Sequence, residues 1–224
     1  MSKNKLDQIS ERYGGSVTGI NRGTGYRNIG GDVTDWGYSK HYVNHFGKRR
    51  FDKINLLEIG VFKGHGLAMW SDYFINGNIY GVDISVVEFE LMKPELENMG
   101  AFSNKNLCDV VKANSTEISQ VNTAIDKYKL PNFDIIIDDG RHKPYSQADT
   151  LSNFWSKLNK NGIYVIEDIN PNTADELNQR LLKFGIDGNS MTWHDVQINE
   201  HNRLLKFGIN KNNKILFIRK NNDE

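Results

Sequence analysis

The stretch that decides the fold runs Ile135-Ile-Ile-Asp-Asp-Gly-Arg-His142. Three consecutive branched apolar residues are typical of a strand that is buried on both faces, as in a parallel sheet covered by helices. Two carboxylates, a glycine and a histidine follow at once, where the predicted strand ends. Because ligands of open α/β sheets bind outside the carboxyl ends of the strands, this stretch is also the first candidate for a functional site.

A second stretch, Gly162-Ile-Tyr-Val-Ile-Glu-Asp168, repeats the same design of an apolar strand that ends in two carboxylates. If the two strands are neighbours, their carboxyl ends meet at one edge of the sheet. We therefore interpret the side chains at this edge as the reaction centre: Asp138, Asp139, His142, Glu167 and Asp168.

Predicted strands and helices alternate along the middle of the chain. The strands are Lys53–Ile59, Asn78–Val82, Val110–Ala113, Phe133–Asp138 and a fifth that ends at Asp168; the helices include Leu67–Phe74, Phe89–Met99 and Tyr145–Leu158. This alternation predicts the α/β class, a doubly wound and mostly parallel sheet covered by helices. The later segments Thr192–Asn199 and Lys214–Arg219 have a β pattern and predict an antiparallel addition at the C-terminal edge, with Arg203–Ile209 ambiguous.

A glycine-containing turn joins the first strand to its helix, in the run Glu58-Ile-Gly-Val-Phe-Lys-Gly64-His-Gly66. Glycines at such a turn let the backbone approach a ligand that the helix N-terminus also faces. The order Gly-x-Gly-x-x-Gly of a dinucleotide fingerprint is not present. Asp83 ends the second strand about 20 residues later, where an acid accepts hydrogen bonds from ribose hydroxyls.

Two of these positions, Asp83 and Asn114, leave alternatives open. Asp83 is either a ribose ligand or the N-cap of the following helix. Asn114, at the end of the third strand, either meets an adenine edge or makes local turn contacts, with Ser115 or Thr116 capping the next helix. Gly162 is interpreted as the left-handed residue that closes the preceding helix.

The first 50 residues differ in character from the remainder. Two short helices, Leu6–Tyr13 and Ser39–Phe46, flank a segment in which glycines are too frequent for regular structure. We divide the chain into residues 1–50, an N-terminal extension that acts either as a lid or as a tether, and residues 51–224, the main domain.

Composition excludes several classes of protein. Of the 224 residues, 28 are Lys or Arg and 28 are Asp or Glu, and this balance argues against a nucleic-acid partner. Cys108 is the single cysteine, so no internal disulfide forms and a reducing compartment fits. No apolar run approaches the ~18 residues of a membrane helix, and the N-terminus shows no secretory signal. The sequence therefore predicts a cytoplasmic protein without a membrane segment.

Together these motifs resemble class I S-adenosylmethionine-dependent methyltransferases. The run Glu58–Phe74 followed by Ile79–Asp83 is similar to the metal-dependent small-molecule and sugar O-methyltransferases of antibiotic pathways, the mycinamicin-type and CmcI-like group. Ile137–His142 and Tyr164–Asp168 match a second pair of signatures in that group, and Asp35–Tyr38 resembles its N-terminal segment. The resemblance implies a Rossmann-like fold and transfer of a methyl group to a hydroxyl of a sugar or another small molecule.

The resemblance also implies a role for each S-adenosylmethionine-binding residue. Gly60 and Gly64 would approach the methionine moiety, with Glu58 supporting the loop. Asp83 would hold the ribose. The remaining candidates for the cofactor pocket are Asn114 and Asp138; the acid that many relatives have at the first of these positions is absent here.

For the chemistry, the resemblance implies a divalent metal bound by Asp139, Glu167 and Asp168, with His142 as general base on the substrate hydroxyl. Physical chemistry supports this set, because three carboxylates in one pocket repel each other and a cation neutralises them. Oxygen ligands favour Mg²⁺, with Ca²⁺ or Mn²⁺ as alternatives, over Zn²⁺. Arg141 replaces a residue that is often small in relatives, so it pairs either with an anionic substrate or with a nearby carboxylate.

Other functions remain open at this point. A methyltransferase acting on nucleic acid or protein is disfavoured by the balanced charge and by Asn170-Pro-Asn172, which is not an Asn/Asp-Pro-Pro-aromatic motif. A non-catalytic cofactor-binding scaffold is a further alternative. A hydroxylase would need a two-histidine iron site near the carboxylates, to which His65 or His194 would have to contribute. Self-association into a homo-oligomer also remains open.

Overall fold

The computed structural model describes residues 4–13, 37–197 and 212–221. Its strands are β1 Asn55–Ile59, β2 Asn78–Asp83, β3 Leu107–Lys112, β4 Phe133–Asp138, β5 Leu158–Ile169, β6 Met191–Gln197 and β7 Asn212–Arg219. Its helices are α1 Lys5–Arg12, α2 Ser39–Phe46, α3 His65–Tyr73, α4 Val87–Asn98, α5 Ile118–Tyr128, α6 Pro144–Phe154 and α7 Ala174–Phe184. The predicted glycine-rich segment 14–36 and the ambiguous segment 203–209 lie outside the described residues.

The described strands form one seven-stranded sheet in the order β3-β2-β1-β4-β5-β7-β6. The five strands β1 to β5 are parallel, whereas β7 pairs antiparallel with both β5 and β6. The predicted α/β class and the antiparallel C-terminal addition are therefore confirmed. Since β4 lies between β1 and β5, the two strands that end in paired carboxylates are direct neighbours.

Both faces of the sheet are covered by helices, as the run of three isoleucines in β4 predicts. Ile135 and Ile137 belong to the core that includes residues of α1 to α4, and Ile136 belongs to the core on the other face, with residues of α5 to α7. All three side chains are at most 1% exposed. Two hydrophobic layers therefore hold β4 in place and fix the position at which its carboxylates emerge.

The two N-terminal helices pack on the first of these cores. Leu6 and Ile9 of α1 and Tyr42 and Phe46 of α2 are buried there, and Tyr42 contacts the ring of Trp70 edge-on at 5.0 Å between ring centroids. A capping box stabilises the start of α1, in which the Asn4 side chain accepts from the Asp7 amide and the Asp7 carboxylate accepts from the Asn4 amide. Both described helices of the N-terminal extension are thus part of the core.

Two local predictions are wrong. The helix before β5 ends at Phe154, and Gly162 lies inside β5, where its carbonyl accepts from the Lys220 amide; the left-handed residue is Asn161, with φ 62°. Asparagine tolerates this backbone conformation. Gly162 is needed for a different reason, because a Cβ built on it would lie 2.7 Å from the carbonyl oxygen of Asn159. Helix α5 begins after Glu117 with no side-chain cap, because the predicted caps Ser115 and Thr116 lie two residues and one residue before the N-cap position.

Among the described residues, no helix combines the length and the apolar composition that crossing a membrane requires.

Candidate active site

The carboxyl ends of β1 to β4 surround a cavity of about 520 Å³. Its volume is in the range of sites that hold a small molecule or a cofactor. Five of the residues predicted for function line it: Gly60, Asp83, Asn114, Asp139 and His142. The remaining lining residues are Ile59, Phe62, Val82, Ile84, Ala113, Ser115, Thr116, Gly140 and Arg141.

Gly60 connects the glycine turn to the end of β4. Its φ of 91° is in the left-handed region, and a Cβ built on it would lie 2.2 Å from the carbonyl oxygen of Asp139. Its amide donates to Val82, and the Asp139 amide donates to Ile59. The glycine is needed because the backbone after β4 passes directly against it, so this turn also determines where Asp139 lies.

Glu58 supports the same turn from inside the protein. Its side chain is 6% exposed, and a Cβ on Gly66 would lie 2.0 Å from its Oε1. Its Oε2 is buried with no hydrogen-bond partner. Burial raises the pKa of Glu58 well above its ordinary value, and the nearby charges of Asp139 and Asp83 raise it further. Glu58 does not line the cavity.

Gly64 precedes α3 and has a φ of 82°. A Cβ at this position would lie 2.4 Å from the ring of Phe89. The close contact explains why the position is glycine. Like Glu58, Gly64 lies behind the cavity and is not part of its lining.

The carboxylate of Asp83 lines the cavity and accepts hydrogen bonds from two backbone amides. Its Oδ2 accepts from the Phe62 amide at 2.8 Å, and its Oδ1 accepts from the Ser85 amide at 2.9 Å. Helix α4 begins later, after Val86, so Asp83 is not its N-cap. Each carboxylate oxygen has a further lone pair with which to accept a hydrogen bond from a ligand.

Asn114 makes the local turn contacts that were one of its two predicted roles. Its Oδ1 accepts from the amide of Thr116 at 3.2 Å and from the hydroxyl of Thr116 at 2.9 Å. The residue also lines the cavity. Its contact with an adenine edge stays a prediction.

Asp139, His142 and Asp168 form a tight group beside the cavity. The Nε2 atom of His142 lies 3.1 Å from Asp139 Oδ1, and its Nδ1 atom lies 3.5 Å from Asp168 Oδ2. Their ligand atoms lie within 4.8 Å of one another, close enough to hold one metal ion. The group therefore brings residues from the ends of β4 and β5 to one point, as the sequence predicts.

The carboxylates change the proton affinity of the imidazole between them. Burial lowers the pKa of His142, but the hydrogen bond to Asp139 and the charges of Asp139, Asp168 and Asp138 raise it more, to about 9. The pKa of Asp139 is raised, by burial first and then by the charge of Asp168. The neighbouring carboxylates thus favour the protonated form of His142, whose charge balances part of theirs.

Asp138 faces away from this group. It is 2% exposed, accepts from the Gly140 amide at 3.1 Å and receives the Tyr164 hydroxyl at 3.5 Å. Burial raises its pKa to about 7, against the lowering effect of the Gly140 amide. Asp138 is not among the residues that line the cavity, so its predicted cofactor contact stays a prediction.

Glu167 and Asp168 each contact a tyrosine of the N-terminal extension. The hydroxyl of Tyr42 donates to Glu167 Oε1, and the hydroxyl of Tyr38 donates to Asp168 Oδ1 at 2.6 Å. The amide of Asn213 in β7 donates to the same Asp168 oxygen at 2.7 Å. Glu167 is 4% exposed and lies outside the group of three potential metal ligands, so its predicted metal contact stays a prediction.

Sequence reasoning missed Tyr38, Tyr42 and Asn213. The two tyrosines are four residues apart, which places them on one face of a helical segment. That spacing indicates that the two side chains contact neighbouring groups. Their carboxylate partners, however, are 130 and 125 residues away in sequence, and no local pattern indicates them.

The donor chemistry of the group fits a hard divalent cation better than iron. Among the described residues, the one group of three or more potential metal ligands contains two carboxylates and a single histidine. His194 instead lies against His45, with 3.3 Å between their Nε2 atoms. His65 is half-buried at the start of α3, where desolvation lowers its pKa to about 4. Neither histidine completes the two-histidine site that a hydroxylase would need.

Comparison with known proteins identifies relatives that match about 60% of the chain. The 8-demethyl-8-alpha-L-rhamnosyl tetracenomycin-C 2'-O-methyltransferase of Streptomyces olivaceus is 29% identical over 144 residues, 60% of this chain and 34% of that protein. The mycinamicin VI 2''-O-methyltransferase of Micromonospora griseorubida is 28% identical over 142 residues, 59% of this chain and 31% of that protein. The chain thus spans about a third of the length of the curated relatives it matches.

The fold is similar to that of solved methyltransferases. The MycE methyltransferase of the mycinamycin biosynthetic pathway, in complex with Mg and SAH, superposes with a TM-score of 0.60 at 21% identity and covers 100% of this chain and 56% of its own. A second MycE structure, which also contains mycinamycin VI, gives a TM-score of 0.59 at 23% identity. At these identities the likeness establishes the fold.

A family model described as a methyltransferase domain matches residues 57–169, just over half of the chain. The matched region begins one residue after Leu56 in β1 and ends with the last residue of β5. It contains the glycine turn, Asp83 and both pairs of carboxylates. The chain therefore belongs to the methyltransferase-domain family, as the resemblance of its motifs implied.

Proposed function

We propose that this chain is an S-adenosylmethionine-dependent O-methyltransferase that acts on a hydroxyl of a sugar or another small molecule with the help of a divalent metal, Mg²⁺. One observation carries the proposal. Asp139 and His142 line the 520 Å³ cavity and at the same time belong to the group of potential metal ligands. A cofactor in the cavity and an acceptor hydroxyl at the metal would therefore be adjacent, as methyl transfer requires.

The cofactor is assigned to the cavity at the ends of β1 to β3. Asp83 would accept hydrogen bonds from the ribose hydroxyls with the lone pairs that the amides of Phe62 and Ser85 leave free. Asn114 would face the adenine, and Gly60 with Gly64 would keep the turn close to the methionine moiety. Glu58 would support that turn from the protein interior. Asp138, at the end of β4, would contribute to the cofactor pocket.

The metal is assigned to Asp139 and Asp168, with Glu167 as a third ligand. A bound divalent cation lowers the pKa of a coordinated hydroxyl and fixes its orientation. With a cation held by Asp139 and Asp168, the charges that favour a proton on His142 would be weakened, and its imidazole would accept the proton of the acceptor hydroxyl. Asp139, hydrogen-bonded to His142 at 3.1 Å, would orient the ring.

The acceptor class is supported by the names of the relatives. The Streptomyces olivaceus and Micromonospora griseorubida proteins are named for methylation of 2'- and 2''-hydroxyl positions, the first on a rhamnosyl product. The chain spans about a third of each relative. The proposed acceptor is therefore a class of group, a sugar hydroxyl, and no particular compound is proposed. The balanced charge supports a small acceptor over nucleic acid, and the single cysteine supports a reducing, cytoplasmic location.

Calorimetry of S-adenosylmethionine binding with and without Mg²⁺ tests the proposal, on the wild type, Asp139→Ala and the matched surface variant Asp126→Ala. Asp126 is exposed near the C-terminal end of α5, whereas the residues that line the cavity, Asn114 to Thr116, precede the N-terminal end of this helix. We expect the wild type and Asp126→Ala to bind both cofactor and metal, and Asp139→Ala to lose metal binding. A screen of sugar-containing acceptors would follow.

The possible results separate the parts of the proposal. Cofactor binding with no metal uptake by the wild type would refute metal assistance and leave a metal-independent methyltransferase. Absence of cofactor binding would refute the methyltransferase assignment itself, because the cavity would then serve another ligand.

A further inference from the structure

We infer that Tyr38 and Asn213 are positioning residues, which fix the carboxylate of Asp168 so that its second oxygen faces the metal. The inference rests on the proposed function, because it concerns a ligand of the proposed metal. It assigns a role to two residues that lie at opposite ends of the described chain. Tyr38 stands at the start of α2, and Asn213 lies in β7.

The backbone at Asp168 is distorted in a way that serves this arrangement. Asp168 has a φ of 51°, in the left-handed region that non-glycine residues rarely adopt. The pairing of β5 with β7 shifts register between Ile166 and Ile169, so a bulge surrounds Asp168. Such conformations are energetically unfavourable and persist where surrounding contacts hold them, commonly at functional sites.

The bulge changes the side of the sheet that Asp168 can reach. Ile166 and Ile169 both pack in the core on the α5 to α7 face, although regular alternation would place them on opposite faces. Between them, Glu167 and Asp168 both contact tyrosines of α2 or of the residue that precedes it. Two adjacent carboxylates thus reach the same helix, which an undistorted strand does not allow.

The two oxygens of Asp168 have different partners. Oδ1 accepts from the hydroxyl of Tyr38 at 2.6 Å and from the side-chain amide of Asn213 at 2.7 Å. Oδ2 faces His142 Nδ1 at 3.5 Å, on the side of the proposed metal. With two donors on one oxygen, the carboxylate cannot rotate freely, and Oδ2 is the oxygen presented to a cation.

Tyr38 is suited to remain a donor throughout. It is 0% exposed, and burial together with the charges of Asp168 and Glu167 raises the pKa of its hydroxyl. Its hydroxyl also accepts from the Asp168 amide at 3.3 Å, so it bonds both the backbone and the side chain of the bulged residue. Mutation of a partner that orients a metal ligand in this way typically weakens metal binding by about 10–100-fold.

The test is Mn²⁺ binding measured by electron paramagnetic resonance on the whole chain, with S-adenosylmethionine affinity measured in parallel. Tyr38→Phe removes the hydroxyl and keeps the ring. Tyr13→Phe is the matched control, because Tyr13 is also a buried tyrosine whose hydroxyl donates to a carboxylate, Asp72, at 2.7 Å. Asn213→Ala removes the second donor independently.

We expect Tyr38→Phe to bind Mn²⁺ about tenfold more weakly than the wild type, Asn213→Ala to weaken binding in the same direction, and Tyr13→Phe to bind as the wild type does. Cofactor affinity should be unchanged in all three variants. If Tyr38→Phe does not fold, Asn213→Ala decides by the same criterion.

Unchanged Mn²⁺ affinity in the folded Tyr38 and Asn213 variants would overturn the inference alone and leave the proposed function in place. An equal loss in Tyr13→Phe would also overturn it, because the effect would then reflect general destabilisation. A wild type that binds S-adenosylmethionine but no Mn²⁺ would refute the metal-assisted function and the inference together.

Discussion

Replacement of Gly60 by alanine should damage both the fold and the site. The φ of Gly60 is 91°, and an added Cβ would lie 2.2 Å from the Asp139 carbonyl oxygen and 2.8 Å from the Gly140 amide nitrogen. These are backbone atoms of a segment whose Asp139 amide is bonded to Ile59. They cannot swing aside as the end of a long side chain would, so the segment that carries Asp139 must move.

The size of the effect follows from two contributions. A non-glycine residue in the left-handed region costs about 1–2 kcal/mol. Forcing a methyl group into a filled space costs about 1–3 kcal/mol more. The lower entropy of the unfolded alanine chain offsets about 0.4–1 kcal/mol of this. We therefore expect Gly60→Ala to lower the free energy of unfolding by roughly 1–5 kcal/mol.

Gly100→Ala separates the two contributions. Gly100 has a φ of 93°, almost the same as Gly60, but nothing lies within 4 Å of a Cβ built on it. Urea unfolding of both variants should show a larger loss for Gly60→Ala, by about 1–3 kcal/mol, the contribution of the overlap alone. Mn²⁺ affinity should fall in Gly60→Ala and stay at the wild-type level in Gly100→Ala.

Equal destabilisation of the two variants would refute this reasoning. It would mean that backbone conformation alone makes Gly60 necessary, and that the end of β4 is not held against the turn. A Gly60 variant that unfolds more easily yet binds Mn²⁺ normally would show that Asp139 does not depend on this contact for its position.

Three further predictions concern charged groups. Protonated His142 and a cation compete for the same carboxylates, so Mg²⁺ affinity should increase as pH rises toward the His142 pKa of about 9, and calorimetry that finds no pH dependence would contradict this. Burial raises the pKa of Asp138 to about 7, so the native state binds a proton more tightly than the unfolded state and loses stability as pH rises from about 4 to 7. Asp138→Asn should therefore stabilise the protein above pH 7 by up to about 4 kcal/mol and change little at acid pH, as urea unfolding at the two extremes would reveal. Lys220 is 7% exposed and its Nζ donates to the carbonyls of Trp155 and Leu158. Lys220→Met should lower the free energy of unfolding in urea by about 1.5–3 kcal/mol. Lys160→Met, at an exposed position, is the control. An equal loss in both variants would contradict the prediction.

Much of the fold could be predicted because its main strands are strongly patterned. The bounds of β4 match the prediction from Phe133 to Asp138, since a run of branched residues between polar ones leaves little choice. The approach of Asp139 and Asp168, one carboxylate from each pair, could also be predicted, because β4 and β5 are consecutive parallel strands and adjacent strands end at one edge. These features depend on local sequence and on general rules of sheet topology.

The contacts that define the site depend on residues far apart in sequence. Nothing around Tyr38 indicates that it meets Asp168, because the contact exists only after α2 has packed on the sheet and β7 has added to its edge. The left-handed backbone of Asp168 could not be predicted either, because glycine usually occupies such a position and here the residue is an aspartate. Long-range packing, rather than local propensity, fixes these details.

The two acidic pairs illustrate why similar sequences at strand ends have different outcomes. In β4 the alternation of side chains places Asp138 on the face of Ile136, away from the site, and only Asp139, beyond the strand, reaches His142. In β5 the bulge at Asp168 interrupts the alternation, so that Glu167 and Asp168 both meet the N-terminal tyrosines. In a regular strand, only one carboxylate of an adjacent pair lies on a given face of the sheet. A bulge is needed for both to lie on the same face. The strain at Asp168 is thus the structural condition for gathering carboxylates from only two neighbouring strands around the proposed cation.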